Sequence, residues 1–467
     1  MAHTMITFLN SLKAIAYGGL ALVTAIALCW WLIPDEPLNP EAANFVAQPA
    51  VPPSAKNASF MIWGLPASPE LDAHAVGKRI VAAQDRLEAG QKDSSAFRVQ
   101  DYLGANPLKL AGTQPLCNAE LQNCLLAYQN NADAVEKEIV ARTIYLKRYR
   151  EMRTYEEFAS ANSKITMATS VPDWWTAMRI SELSSASVAL DLRVKEKQRA
   201  ALTELAADIG TWKKILTTND WILGQILAVV ALHRKYRLAS EILNAYPELI
   251  ERFPDLMHAV TAPIALADAK IVVGSKTEAR IRMQHLWDLG GEGRLSTQWL
   301  YAESLGDFLK PLALRVAYRP QATLNEAYAV FRMSIDHLDQ SPKDFLASDA
   351  AFRQKLAEIR RFRLQDVFYN PAGRLDLGEG LELDLSKYYF RQHDLVGLSR
   401  LVALQRHLLA DKVPVNRVAE SLACYGAELS DPFTEQPMRW NAQTRQLSFQ
   451  LYGDRRANTG FVDVALE

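Results

Sequence analysis

From Ala14 to Ile33 the chain runs for 20 residues without a charged side chain (AIAYGGLALVTAIALCWWLI). At the rise of an α-helix such a run spans roughly 30 Å, the thickness of a bilayer's hydrocarbon core. In lipid only a helix pairs every backbone amide within one segment, so the stretch reads as a single transmembrane anchor. A cleavable signal peptide would carry a shorter apolar region followed by a small-x-small site, whereas this one ends in Trp30-Trp31, suited to a membrane interface, and then Pro34-Asp35-Glu36-Pro37. Lys13 flanks the other end. The positive-inside bias therefore predicts a cytoplasmic N-terminus (1–13), an anchor (14–33) in a bacterial-type inner membrane, and a main domain in the periplasm. Cys29 follows a Leu and precedes a Trp, which does not fit a lipidation site, and it is expected to face lipid or a partner helix.

Residues 34–57 hold six prolines and little apolar periodicity. The composition predicts an extended, semi-rigid tether that stands the folded domain off the membrane. Beyond it, 52 Lys and Arg balance 53 Asp and Glu, so no global field recruits a nucleic acid, and none is expected as a partner.

The body, residues 58–430, is expected to be one mainly α domain. Apolar residues recur every three or four positions across Val135–Arg150, Trp174–Val194, Glu196–Leu216, Trp221–Tyr236 and Leu238–Ile250. Breaks are expected at Gly210, Asn219-Asp220, Tyr246-Pro247, Phe253-Pro254, Gly290-Gly291, Arg319-Pro320 and Ser341-Pro342. Asp220 is placed as the cap of the helix beginning at Trp221, and Thr323 as the cap of a helix over Asn325–Ile335. No fixed repeat length holds across the helical hairpins, so the architecture is an irregular helical bundle or an α-solenoid-like array. The short apolar run Phe60–Leu65 is either a strand or a buried turn. In the last segment, 431–467, Met438–Trp440 and Leu447–Tyr452 alternate apolar and polar side chains around Asn441-Ala442-Gln443-Thr444, the pattern of a β-hairpin. Phe461–Val464 supplies a third strand, and three strands must lie against the helices to be stable.

Cys117 and Cys124 are expected to form a disulfide in an oxidising compartment. On one straight helix seven residues would separate their Cα atoms by about 10 Å, beyond the ~7 Å a bridge spans. The bridge therefore requires a loop, with a helix beginning near Ala119. Cys424 is then left as a buried apolar thiol.

None of the usual metal-peptidase, serine-hydrolase, phosphate-loop or dinucleotide motifs occurs, and no ligand spacing suits zinc. No cofactor or metal is expected, and no catalytic residue can be named. The pairings Asp336-His337-Leu338-Asp339 and His393-Asp394 join sequence neighbours that do not face each other on a helix. His233 sits where a cation complements a helix C-terminus, and Glu303-Ser304 downstream of His285 forms no recognisable hydrolase set. Ser184, Ser185 and Ser187 lie in a small-residue helix that permits close helix contact. Two features point to surfaces instead. Arg360-Arg361-Phe362-Arg363 could meet an acidic partner or phospholipid headgroups, or simply share charge with Glu358 and Asp366 on one helix. Trp174-Trp175 at a helix start is an interface anchor or a core plug. The expected role is a membrane-tethered periplasmic interaction protein, a scaffold, chaperone or inhibitor/immunity protein, with another envelope protein as partner and residues 14–33 in the membrane. The alternatives are an envelope hydrolase or transferase acting on lipid or cell-wall material, and a lipid-binding module.

Overall fold

A computed structural model describes residues 13–21, 24–25, 28, 32–47, 54, 57–88, 97–110, 116–162, 165–167, 169–290, 317–380, 385–453 and 460–466. The protein is mainly helical and ends in a small three-stranded antiparallel sheet. It divides into two compact units interleaved in sequence. One comprises 1–48, 279–336 and 350–384, the other 49–278, 337–349 and 385–467.

The first unit contains the apolar segment. Its described residues 13–21, 24–25, 28 and 32 are helical, and Ile15, Tyr17, Leu20 and Leu32 are all exposed, Ile15 by 73%. Among the described residues no single helix is long and apolar enough to cross a membrane. Cys29, Trp30 and Trp31 lie outside the described residues.

The stretch after Ile33 differs from an extended tether. Residues Pro40–Ala47 form a helix, α1, with Pro40 at its first position, where the missing N–H would have had no helical partner anyway. The residues before α1 cap another helix of the unit, Pro320–Leu338. Asp35 accepts hydrogen bonds from Gln321 N (2.8 Å) and Ala322 N (3.1 Å), two amides of the first turn that have no helical acceptor. Thr323, expected as the cap, lies inside that helix and returns its hydroxyl to Arg319 O (2.7 Å). Asn325 donates to Glu36 and to Pro37 O. Prolines kept the segment from reading as helical, and its acceptors serve a helix some 285 positions away.

In the second unit the apolar run Ser59–Gly64 is helical (α2) and crosses Ala73–Glu88 (α3) closely. A Cβ at Gly64 would stand 1.8 Å from Ala73 O, and one at Gly77 equally near Phe60 O, so glycine is required on both helices. Next come Cys124–Asn130 (α4), Ala132–Ala141 (α5) and Thr143–Met152 (α6). The helix expected over Val135–Arg150 is broken at Arg142, where the Thr143 hydroxyl competes for Ile139 O and Val140 O. From α6 the buried Arg148 donates to four carbonyls of the turn after α2, those of Leu65, Ala67, Ser68 and Leu71. A single guanidinium thereby holds a turn whose own carbonyls lack helical donors.

The centre of this unit is Trp174–Asp191 (α7), Gln198–Thr218 (α8) and Ile222–Ala245 (α9), packed side by side through short connections. Gly210 does not break α8: it faces open space and costs only propensity. The periodic segments Trp221–Tyr236 and Leu238–Ile250 join without a break into α9, which ends at Ala245, because nothing between them removes an amide donor. Asp220 does not cap α9. Its carboxylate takes the amide of Ser160 (2.6 Å), while Asn219 accepts from Trp221 N (2.9 Å). Glu248–Arg252 (α10) and Pro254–Thr261 (α11) follow, then Val272–Gly290 (α12). Pro320–Leu338 is α13, Pro342–Arg360 α14, Leu364–Tyr369 α15, Pro371–Gly380 α16 and Ser386–Ala410 α17.

The sheet runs β1 (Arg439–Asn441), β2 (Gln446–Gln450) and β3 (Phe461–Ala465) in sequence order. Asn441 closes the hairpin by accepting from Gln443 N and Thr444 N, the local turn chemistry of asparagine. Leu447, Phe449, Val462 and Val464 form its buried face against α9 and α17. At Gly397 of α17 a Cβ would lie 2.4 Å from the Phe449 ring, so the absence of a side chain is what lets the sheet seat there. Gln405 and Arg237 donate to Ala465 O and Asp463 O, and Asp394 accepts from Tyr452 N and Gly453 N, anchoring the sheet on both sides.

Candidate functional site

Asp208 and Lys235 occupy the apolar faces of their helices. Asp208 shares a face with Leu205, Ile209 and Trp212 of α8, and Lys235 shares one with Ala231, Leu232 and Ala239 of α9, all buried. The two side chains meet at 2.5 Å, exposed by only 1% and 2%. Tyr149 donates to the same carboxylate. Trp212 Nε1 donates to Tyr149 Oη (2.9 Å) and to Ser181 Oγ (2.7 Å), and Lys235 donates to Ser185 Oγ (3.1 Å). Each polar group thus finds a partner from a different helix, as burial demands. Burial pushes the Lys235 ammonium below its ordinary range while Asp208 pulls it back up. Burial, with Asp208 alongside, carries the Tyr149 phenol well above its ordinary range.

The expected disulfide lies over this cluster. Cys117 and Cys124 are bonded, with Cα atoms 5.7 Å apart. The loop that permits this is longer than expected, for α4 begins at Cys124 itself rather than near Ala119. Asn118 turns the chain, its carbonyl accepting from Leu121 N and Gln122 N, and Asn123 caps α4 through Leu126 N. Two carboxylates hold the bridged segment: Glu182 accepts from Cys117 N (3.1 Å), and Glu241 from Cys124 N (3.1 Å) and Leu125 N (2.8 Å). The other Glu182 oxygen lies 3.5 Å from Arg179 and 3.7 Å from Arg234. Burial raises the Glu241 carboxyl, against its two backbone amides. Between the bridge and Lys235 remains a cavity of about 20 Å³, room for about one water molecule. The chemistry available to this set is proton and charge compensation inside a closed core.

A second buried group gathers residues scattered in sequence. His337, Phe345, Tyr389 and His393 form a column of stacked rings with successive centroids 4.2, 3.7 and 4.1 Å apart. The carboxylate near His337 is Asp349, at 3.5 Å, rather than its neighbours Asp336 and Asp339. His393 faces the carbonyl of Tyr389 through Nδ1 (2.9 Å), and burial lowers it to about 4, with Arg400 and Lys270 adding to the effect.

The residues expected to mark surfaces separate. Trp174 is a core plug, 1% exposed, while Trp175 is 57% exposed. Arg361, Phe362 and Arg363 are exposed in the bend between α14 and α15, and Arg360 closes α14. They do not share a helix face with Glu358 and Asp366. Asp366 turns inward to accept from Arg363 N (2.7 Å) and Arg374 Nε (3.2 Å). Cys424 is exposed rather than buried, since its short helix, Val418–Leu422 (α18), ends before it. Glu303 and Ser304 lie outside the described residues, and among the described residues no cluster of His, Cys, Asp and Glu could hold a metal ion. Sequence reasoning missed Asp208 and Lys235, although a lone charge on each of two apolar faces was a legible signal.

The chain matches no family model, no curated protein and no solved structure.

Lys235→Met leaves the Asp208 carboxylate buried without its cation and should cost about 3–5 kcal/mol in urea denaturation. Adding Asp208→Asn, which keeps an acceptor for Tyr149, should recover most of the loss. Recovery of none would mean that the charge pair is not what the core depends on. For His393 the neutral form is favoured by the fold. Its contribution is complete above about pH 6.5 and is lost as pH falls towards about 4, because the unfolded chain binds the proton first. About 3 kcal/mol should disappear over that window, and His393→Gln should flatten the fall in urea midpoint.

Proposed function

We infer that the chain is a membrane-tethered interaction protein of the bacterial envelope whose disulfide-bonded body binds another envelope protein. The observation carrying this reading is the exposed apolar approach to α7, where Met167 (50%), Val171 (40%) and Trp175 (57%) stand at the surface beside the fully buried Trp174. An exposed indole whose backbone is fixed by a core-embedded neighbour, and by the Asp173 cap on Thr176 N, presents a large contact area at little entropic cost. The apolar segment 14–33 supplies the tether, and the Cys117–Cys124 bridge accords with an oxidising compartment. A scaffold, a chaperone and an inhibitor or immunity protein all use such a surface.

Two measurements test this. A periplasm-dependent reporter enzyme fused after Glu467 should be active in cells, and a cytosolic readout there would overturn the topology. A photo-crosslinking residue at Trp175 should give one dominant adduct that a crosslinker at buried Trp174 does not give, and Trp175→Ala should weaken capture of the same protein at least tenfold. A crosslinking pattern identical at the two positions would remove the assigned surface.

A further inference from the structure

The bend carrying Arg361, Phe362 and Arg363 sits close to where the apolar segment ends, and this juxtaposition assigns it an occupant. Arg319 joins the two places: its backbone amide donates to Asn370 Oδ1 (2.9 Å), and its guanidinium to Ile33 O (2.7 Å), the last residue of the apolar run. Beside Asn370, Tyr369 accepts from Glu36 N at 3.1 Å. Tyr369 ends α15, and Leu364 begins it. Six residues of helix put the two ends about 8 Å apart. Leu364 and the bend before it therefore stand one short helix away from Tyr369, whose hydroxyl meets the chain three residues after the apolar segment ends.

The chemistry of this bend suits an anionic bilayer surface. Phe362 is 46% exposed and Leu364 79%, two large apolar side chains directed outward from a fixed backbone. Arg374 fixes that backbone by donating to Ile359 O (2.6 Å) and Arg361 O (3.1 Å). From Arg353 to Gln365 the sequence holds five cations and one carboxylate, Glu358, which receives a hydrogen bond from Gln354. The nearby Asp366 is buried, so it does little to offset the outward positive charge. Arg353, Arg360 and Arg361 also line a shallow depression with Leu356 and Ala357. Cations that pair with phosphate, set beside apolar side chains that enter the headgroup region, make an interfacial contact stronger than either alone.

We propose that this bend is a second membrane contact: Phe362 and Leu364 enter the headgroup boundary of the bilayer that holds residues 14–33, and Arg361 and Arg363 pair with its anionic phosphates. The proposal rests on the anchor reading and makes the first unit a body seated on the membrane rather than held away from it.

The test uses the full chain with Cys29→Ser and Cys424→Ser, the disulfide intact, and an environment-sensitive fluorophore on Phe362→Cys or on Ile15→Cys. Each labelled protein is reconstituted into phosphatidylcholine vesicles with and without phosphatidylglycerol, and quenching by bromine-labelled acyl chains is read. The proposal expects quenching at both positions. At 362 it should rise severalfold with phosphatidylglycerol and fall severalfold in high salt or with Arg361→Glu/Arg363→Glu, while position 15 responds to neither. Quenching at 15 but not at 362 overturns the second contact and leaves the anchor standing, the bend then being open to a protein partner. Quenching at neither overturns both, and quenching at 362 alone overturns the anchor and with it a second contact made on the bilayer that holds residues 14–33.

Discussion

A carboxylate placed between helices stays in place only if something donates to it, and here the donors are backbone amides that a covalent bond keeps in position. Glu182 and Glu241 project from α7 and α9 towards the segment between Cys117 and Leu125, and the bridge holds that segment's amides against both. Closing so short a loop contributes roughly 2–3 kcal/mol on the chain-entropy model. Its larger effect is positional. The bridged turn sets where α4 starts and covers the space above Lys235, so that the Asp208 pair stays buried and its attraction is less screened than at the surface.

The same logic of distant donors and acceptors recurs in the first unit. Asp35 caps α13, Arg319 holds Ile33 O, and Asn325 grips the chain around Pro37. Local sequence supplies none of these partners. The segment after the apolar run is therefore part of a folded body, and this brings the cationic bend at Phe362 near the end of that run.

Much of the fold was legible because it depends on periodicity. The core faces of α7, α8 and α9, the three strands and the Asn441 turn each follow from spacing or from local turn chemistry. The disulfide was legible because only a loop satisfies its span. Helix ends were less so: Gly210 carries the propensity of a break but meets no steric demand, and Asp220 and Thr323 look like caps while bonding elsewhere. The buried sites were least legible of all. His337 finds Asp349 rather than its adjacent aspartates, and Trp174 and Trp175, consecutive in sequence, divide between core and surface because a helix sends neighbours about 100° apart.

The Cys117–Cys124 bridge holds the core of the second unit in place, and we propose that it forms in an oxidising compartment. Blocking free thiols at the moment of cell lysis, followed by mass spectrometry of the unreduced protein, tests it directly. The account predicts that Cys117 and Cys124 are recovered as one cross-linked peptide while Cys424 carries the blocking group. Recovery of Cys117 and Cys124 both blocked, from cells never exposed to reductant, would contradict it.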